Sequence, residues 1–114
     1  MKCKYFLDIS VLQNYNEILS KNIILRQVPI VVSSIGLKYI DFDYLKNRSS
    51  SVFTWEATAN KEFLLHSNDE LLDYLAAKDY ENTMAPDELI YITHNPTMAY
   101  LANHYFGNDS IIFL

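Results

Sequence analysis

Residues 86–114, PDELIYITHNPTMAYLANHYFGNDSIIFL, decide the fold class of this chain. Leu89-Ile90-Tyr91-Ile92 is a short apolar β run, Asn95-Pro96 starts a helix that Gly107 can stop, and Ser110-Ile111-Ile112-Phe113-Leu114 is a second β run. Two apolar strands joined by one helix make a right-handed crossover, which places both strands parallel in one sheet. Open parallel sheets carry their sites outside the carboxyl ends of the strands. The loop Thr93-His94-Asn95-Pro96 is therefore the first place to look for chemistry.

The rest of the chain extends the same alternation. Lys4-Tyr5-Phe6-Leu7 reads as a first strand ending at Asp8, and Ser10 with Gln13 forms a capping box for a helix bearing Val11, Leu12, Tyr15, Ile18 and Leu19 on one face, with Asn22 as its stop. Pro29 sets up the β-branched strand Ile30-Val31-Val32, which ends at Ser33-Ser34. Residues 36–48 fit two patterns: Leu37, Ile40, Tyr44 and Leu45 have helical spacing, whereas Ile40, Phe42 and Tyr44 alternate; helix is the preferred reading. Ser49-Ser50-Ser51 is a loop and Val52-Phe53-Thr54-Trp55 a third strand. Between Glu56 and His66 a hairpin and a loop compete. Ser67 with Glu70 forms a second capping box for a helix carrying Leu71, Leu72, Tyr74 and Leu75, and Asp79 to Pro86 reads as an acidic link. The expectation is a single α/β domain spanning residues 1–114, three layers α/β/α, with a mainly parallel sheet of about five strands.

A chain of 114 residues, half of them hydrophobic and nine of them tyrosine, is long enough for one core and should fold. No apolar run approaches the length of a membrane span, and no basic segment leads into a long apolar one, so neither membrane association nor a signal peptide is expected. Cys3 is the only cysteine, which rules out an internal disulfide and paired-cysteine zinc sites and suits a cytoplasmic setting. With Lys2 and Lys4 beside it, Cys3 is either a thiol of lowered pKa or a structural residue. Gly36 and Gly107 are the only glycines, so there is no glycine-rich phosphate loop. No cofactor and no metal are expected.

Charge is divided unevenly. Residues 62–114 hold nine acids against the single Lys78, a balance of −8, within a chain whose net charge is −5. Such a field repels nucleic acid and attracts basic proteins. Asp69, Asp73, Asp79, Tyr80, Glu81, Asp87 and Glu88 are the candidate partner-binding residues, with Tyr80 as an aromatic anchor among acids. His94 and His104 flank one helix at a spacing unsuited to a metal pair, and His66 ends an apolar segment.

The closing stretch resembles the haloacid dehalogenase superfamily. Its members close their core with a proline, acids, an apolar strand, Gly-Asp, a further Asp, a helix ending in glycine, and another strand; Pro86 to Ile92, Asn95-Pro96, Gly107 and Ser110 to Phe113 follow that order. Asp8 after Phe6-Leu7 stands where the resemblance implies a nucleophile, Ser33 or Ser34 where it implies a phosphate-binding hydroxyl, and Lys61 where it implies the phosphate-binding lysine. His94, at the end of the closing strand, is the candidate general base beside them. The departures are Ser10 in place of the second acid of the first motif, Thr93-His94 in place of Gly-Asp, and Met98 or Ala99 in place of the last Asp. A magnesium-dependent phosphoryl-transfer site needs several carboxylates around the metal. What the resemblance implies is thus a Rossmann-like core that has lost catalysis. Two functions follow as expectations: a non-catalytic acidic inhibitor, of immunity or antitoxin type, that neutralises a basic partner such as a nuclease toxin encoded nearby; or a hydrolase using Asp8, Ser33 or Ser34, Lys61 and His94.

Overall fold

A computed structural model of the chain describes residues 3–21, 26–49, 51–56 and 68–114. Five strands, β1 (Cys3–Leu7), β2 (Pro29–Ser33), β3 (Ser51–Trp55), β4 (Glu88–Thr93) and β5 (Ile111–Phe113), form one sheet in the order β3-β2-β1-β4-β5. Every pairing is parallel, so the sheet is wholly rather than mainly parallel. Among the described residues five α-helices lie between them: α1 (Ile9–Gln13), α2 (Tyr15–Lys21), α3 (Phe42–Arg48), α4 (Asp69–Met84) and α5 (Pro96–Phe106).

Alternation along the strands sorts the core into two layers. Leu7, Ile30, Val32, Ile90 and Ile92 face Val11, Leu12, Tyr15, Ile18 and Leu45 of α1 to α3. Phe6, Val31, Leu89 and Tyr91 face Tyr74, Ala77, Tyr80, Met98 and Ala102 of α4 and α5. Helices α1 to α3 thus cover one face and α4 and α5 the other, the arrangement that right-handed crossovers impose when strand order reverses at β1. Tyr91 anchors the second layer: fully buried, it stacks on Phe6 at 5.6 Å and Phe106 at 5.8 Å and meets the edge of Tyr74 at 6.1 Å.

Local signals shift several boundaries. The first helix starts two residues earlier than Ser10 suggests, because Asp8 is its cap and accepts the Val11 N–H; Ser10 lies inside it. The same helix breaks at Asn14, whose side chain donates to the Ser10 carbonyl, so two short helices replace one. The ambiguous residues 36–48 divide into a 3-10 turn, Gly36–Lys38, and helix α3 capped by Asp41, so helix holds for the second half. The acidic link does not exist as a loop, since α4 runs to Met84: Asp73, Ala76, Ala77 and Tyr80 continue its buried face, and the helix ends at Ala85 (φ 44°), just before Pro86. Asn68 caps α4, not Ser67, and Ser110 lies in a 3-10 turn before β5. The competing readings of 56–66, together with Lys61 and His66, lie almost wholly outside the described residues.

Ala76 and Ala77 are fully buried, which lets the α4 backbone approach the sheet closely. Ala77→Leu is expected to overpack that contact and destabilise the fold by about 1–3 kcal/mol, measured as a lower urea midpoint with an unchanged slope.

Candidate functional site

Strand β1 is where the chain turns from building the sheet one way to building it the other, so the carboxyl ends of β1 and β4 bound the crevice in which doubly wound sheets bind ligands. Asp8 follows β1, Ser33 ends β2, and Thr93 ends β4. All three are buried, with Asp8 only 3% exposed. The crevice is occupied by the protein's own polar side chains, arranged in two connected sets.

The first set centres on Ser10. Its hydroxyl donates to Asp8 Oδ1 at 2.5 Å and accepts the His94 N–H at 2.8 Å, while Thr93 Oγ1 lies 3.2 Å away. Thr93 Oγ1 in turn accepts the Asn95 N–H at 3.0 Å. A run of polar contacts thus leads from the start of α5 through Thr93 and Ser10 to Asp8. Asp8 also accepts from Val11 N at 3.2 Å and from the Tyr91 hydroxyl at 3.3 Å. Burial pushes the Asp8 carboxyl up, opposed by the hydrogen bonds from Ser10 and Thr93.

The second set centres on Asp73, on the sheet-facing side of α4 and fully buried. Its Oδ2 accepts the Ile9 N–H at 3.0 Å and its Oδ1 accepts the Ser33 hydroxyl, which itself accepts the Gly36 N–H at 2.9 Å. One carboxylate therefore ties α4 to the start of α1 and to the turn after β2. Burial raises its pKa to about 8, with the charge of Asp8 adding to the shift and the Ser33 hydrogen bond opposing it. Space is tight here: a Cβ on Gly36 would meet Leu12 Cδ1 at 2.9 Å and Asp73 Oδ1 at 3.5 Å. Nearby, Glu70 accepts from the Asn95 side chain at 2.6 Å and Asp69 from the Tyr39 hydroxyl at 2.7 Å, pinning the first turn of α4 over the same edge.

Of the alternative catalytic set, Lys61 lies outside the described residues, and Asp8, Ser33, Ser34 and His94 do not converge on one point. Asp8 shares no hydrogen bond with Ser33, whose hydroxyl donates to Asp73, and Ser34 is exposed, its N–H donating to the Trp55 carbonyl. His94 is exposed and turns its ring to the Leu114 carbonyl oxygen at 2.6 Å, which makes Nδ1 the donor. His104, in the last turn of α5, packs on Tyr100. Among the described residues no group of three or more His, Cys, Asp or Glu side chains is placed to hold a metal ion. The Cys3 thiol donates to Glu88 at 3.4 Å and its pKa is raised, mainly by burial, which is the opposite of an activated thiol.

The expected partner surface also changes. Asp73 and Tyr80 do not belong to it: Asp73 is a buried brace, and Tyr80 is 5% exposed beneath Trp55, its ring edge-on at 5.3 Å. Asp79 accepts from the Trp55 indole at 3.0 Å, and burial raises the Glu81 pKa. Asp87 and Glu88 are exposed at the amino edge of the sheet beside Met84, itself 57% exposed. Asp69 lies at the other end of α4, about 24 Å away for a helix of this length. The acids thus form two groups rather than one face. Asp73 was detectable in sequence as a charged residue at positions 73, 76, 77, 80 of an apolar helical stripe. The pairing of Glu70 with Asn95 has no such signal, because it depends on how α4 and α5 pack.

No family model, no curated protein and no solved structure matches this chain. No helix among the described residues is long and apolar enough to cross a membrane.

Because Asp73 holds its proton more tightly folded than unfolded, it stabilises the fold fully at acid pH, and that contribution is lost as pH rises from about 4 through its folded pKa of about 8. Asp73→Asn, which keeps an acceptor for Ile9 and stays neutral, is expected to flatten the fall in stability over that window. Asp73→Ala leaves a buried N–H and a buried hydroxyl without their acceptor and should cost about 2–5 kcal/mol at neutral pH. Chemical denaturation across pH separates the two variants.

Proposed function

We propose that this chain is a non-catalytic binding protein: an acidic inhibitor, of immunity or antitoxin type, that works in the cytoplasm by neutralising a basic protein such as a nuclease toxin encoded beside it. The observation that carries this reading is the filled crevice. Asp8 and Asp73, the two carboxylates nearest the switch point, cap α1 and bind its first amides, and both are buried beneath the side chains around them. A nucleophilic carboxylate must reach its substrate, and hydrogen bonds from Ser10, Val11 and Tyr91 engage this one.

The binding surface belongs instead at the amino edge of the sheet. There Met84 is an exposed apolar anchor with Glu81, Asp87 and Glu88 around it, the pattern of an apolar centre inside a rim whose charge selects the partner. The acidic balance of residues 62–114 supports a basic partner.

A hydrolase resembling haloacid dehalogenases is the second reading, favoured by Asp8 at the end of β1 and Ser33 at the end of β2. The two differ in outcome. Binding predicts association with the product of the adjacent gene at low salt, weakened by added salt and by about tenfold or more in Asp87→Lys/Glu88→Lys, with no turnover of phosphoesters in Mg²⁺. Absence of association at low salt, or Mg²⁺-dependent turnover that disappears in Asp8→Asn, overturns the binding reading.

A further inference from the structure

Among the described residues, strand β5 is an outer strand of the sheet, paired only with β4. The Leu114 N–H donates to the Thr93 carbonyl at 2.9 Å, so Leu114 and, two residues earlier, Ile112 turn their backbone groups inward to β4. Alternation then directs the N–H and C=O groups of Ile111 and Phe113 outward, away from the sheet. Its shortness, three residues, is the one guard this edge has: Ser110 to Leu114 contains no Lys, no Pro and no charged residue of any kind. Side chains along the edge are exposed as well as apolar, with Ile112 at 39% and Phe113 at 55%.

We infer that β5 is a self-association edge, and that its occupant is β5 of a second copy of this chain, running antiparallel about a two-fold axis through Ile112. The geometry of the edge selects this partner. Outward groups sit at positions 111 and 113, symmetric about 112, so a two-fold places Ile111 opposite the other copy's Phe113 and Phe113 opposite its Ile111. Each of these pairs exchanges both N–H···O=C bonds, and all four outward backbone groups of each copy are satisfied at once. The two Ile112 residues meet across the axis as a pair without backbone hydrogen bonds, the closer kind, with their side chains on one face of the joined sheet.

Charge points the same way. Two copies each carrying −5 repel, so they can meet closely only where the surface carries no charge, and 110–114 is such a stretch. The pairing is short, so the association depends on concentration. It is separate from the surface proposed for the basic partner, because Met84 lies at the amino edge of the sheet whereas Phe113 pairs with Thr93 at its carboxyl edge.

Sedimentation velocity on the full chain is expected to give a mass that doubles from the monomer value as concentration rises, and Ile112→Lys, which sets two like charges directly opposite, is expected to remain monomeric with an unchanged circular dichroism spectrum. In a Cys3→Ser background, Ile112→Cys should oxidise to a covalent dimer, since paired residues of this kind stand about 4.5 Å apart at Cα, whereas Phe113→Cys, displaced from the axis, should not. A wild-type chain that stays monomeric up to its solubility limit overturns the inference. So does a dimer undiminished by Ile112→Lys, or equal cross-linking through positions 112 and 113.

Discussion

The Asp73 carboxyl group is the tie on which the arrangement of this protein depends. It sits on α4, yet its two oxygens serve the other side of the fold, accepting the Ile9 N–H at the start of α1 and the Ser33 hydroxyl at the end of β2. An α/β/α sandwich holds its two helical layers apart by the thickness of the sheet, so direct ties between them occur only past the strand ends. Asp73 makes one at the carboxyl edge. Full burial of a carboxylate is costly, and its pKa is accordingly raised to about 8, so near neutrality much of the population carries it protonated. In that form it remains hydrogen-bonded without leaving a bare charge in the core.

Ser10 makes the corresponding tie between β1 and β4. Its hydroxyl joins the Asp8 carboxylate to the His94 amide and to Thr93, so the strands on either side of the switch point are linked past their last ladder bonds. Together the two sets fill the place where this kind of sheet opens to a ligand. The consequence for function is indirect but physical: side chains that hold helix starts and strand ends together are poorly placed to bind, release and rebind a substrate. Recognition through a surface elsewhere is compatible with a rigid, closed crevice, and the amino edge around Met84, Asp87 and Glu88 offers one.

Much of the fold was legible in sequence because it follows from short-range rules. The β-branched run at 30–32, the strand at 89–92 and the Asn95-Pro96 start of α5 all form where pattern and capping place them. Boundaries failed where two caps competed: Asp8 and Ser10 are both good caps, and only the third-dimensional demand of Thr93 and His94 for the Ser10 hydroxyl leaves the cap to Asp8. Asp79 and Glu81 suggest a loop because charge is conspicuous and an alanine pair is not, yet Ala76 and Ala77 carry the helix past them to Met84. Asp73 was misread for the same reason: composition counts a carboxylate as surface, whereas helical phase places it among buried positions. Composition cannot say which acids a fold will use internally.

The closed crevice is tested most directly by native-state hydrogen exchange at the amides of Ile9, Val11 and His94, whose acceptors are Asp73, Asp8 and Ser10. If these side chains brace the fold, the three amides exchange only through global unfolding and share the free energy of the core amides of β1 and β4. Exchange of these three at rates near those of exposed amides, while the strands stay protected, would mean that the crevice opens in the native state and that the carboxylates are free for other work.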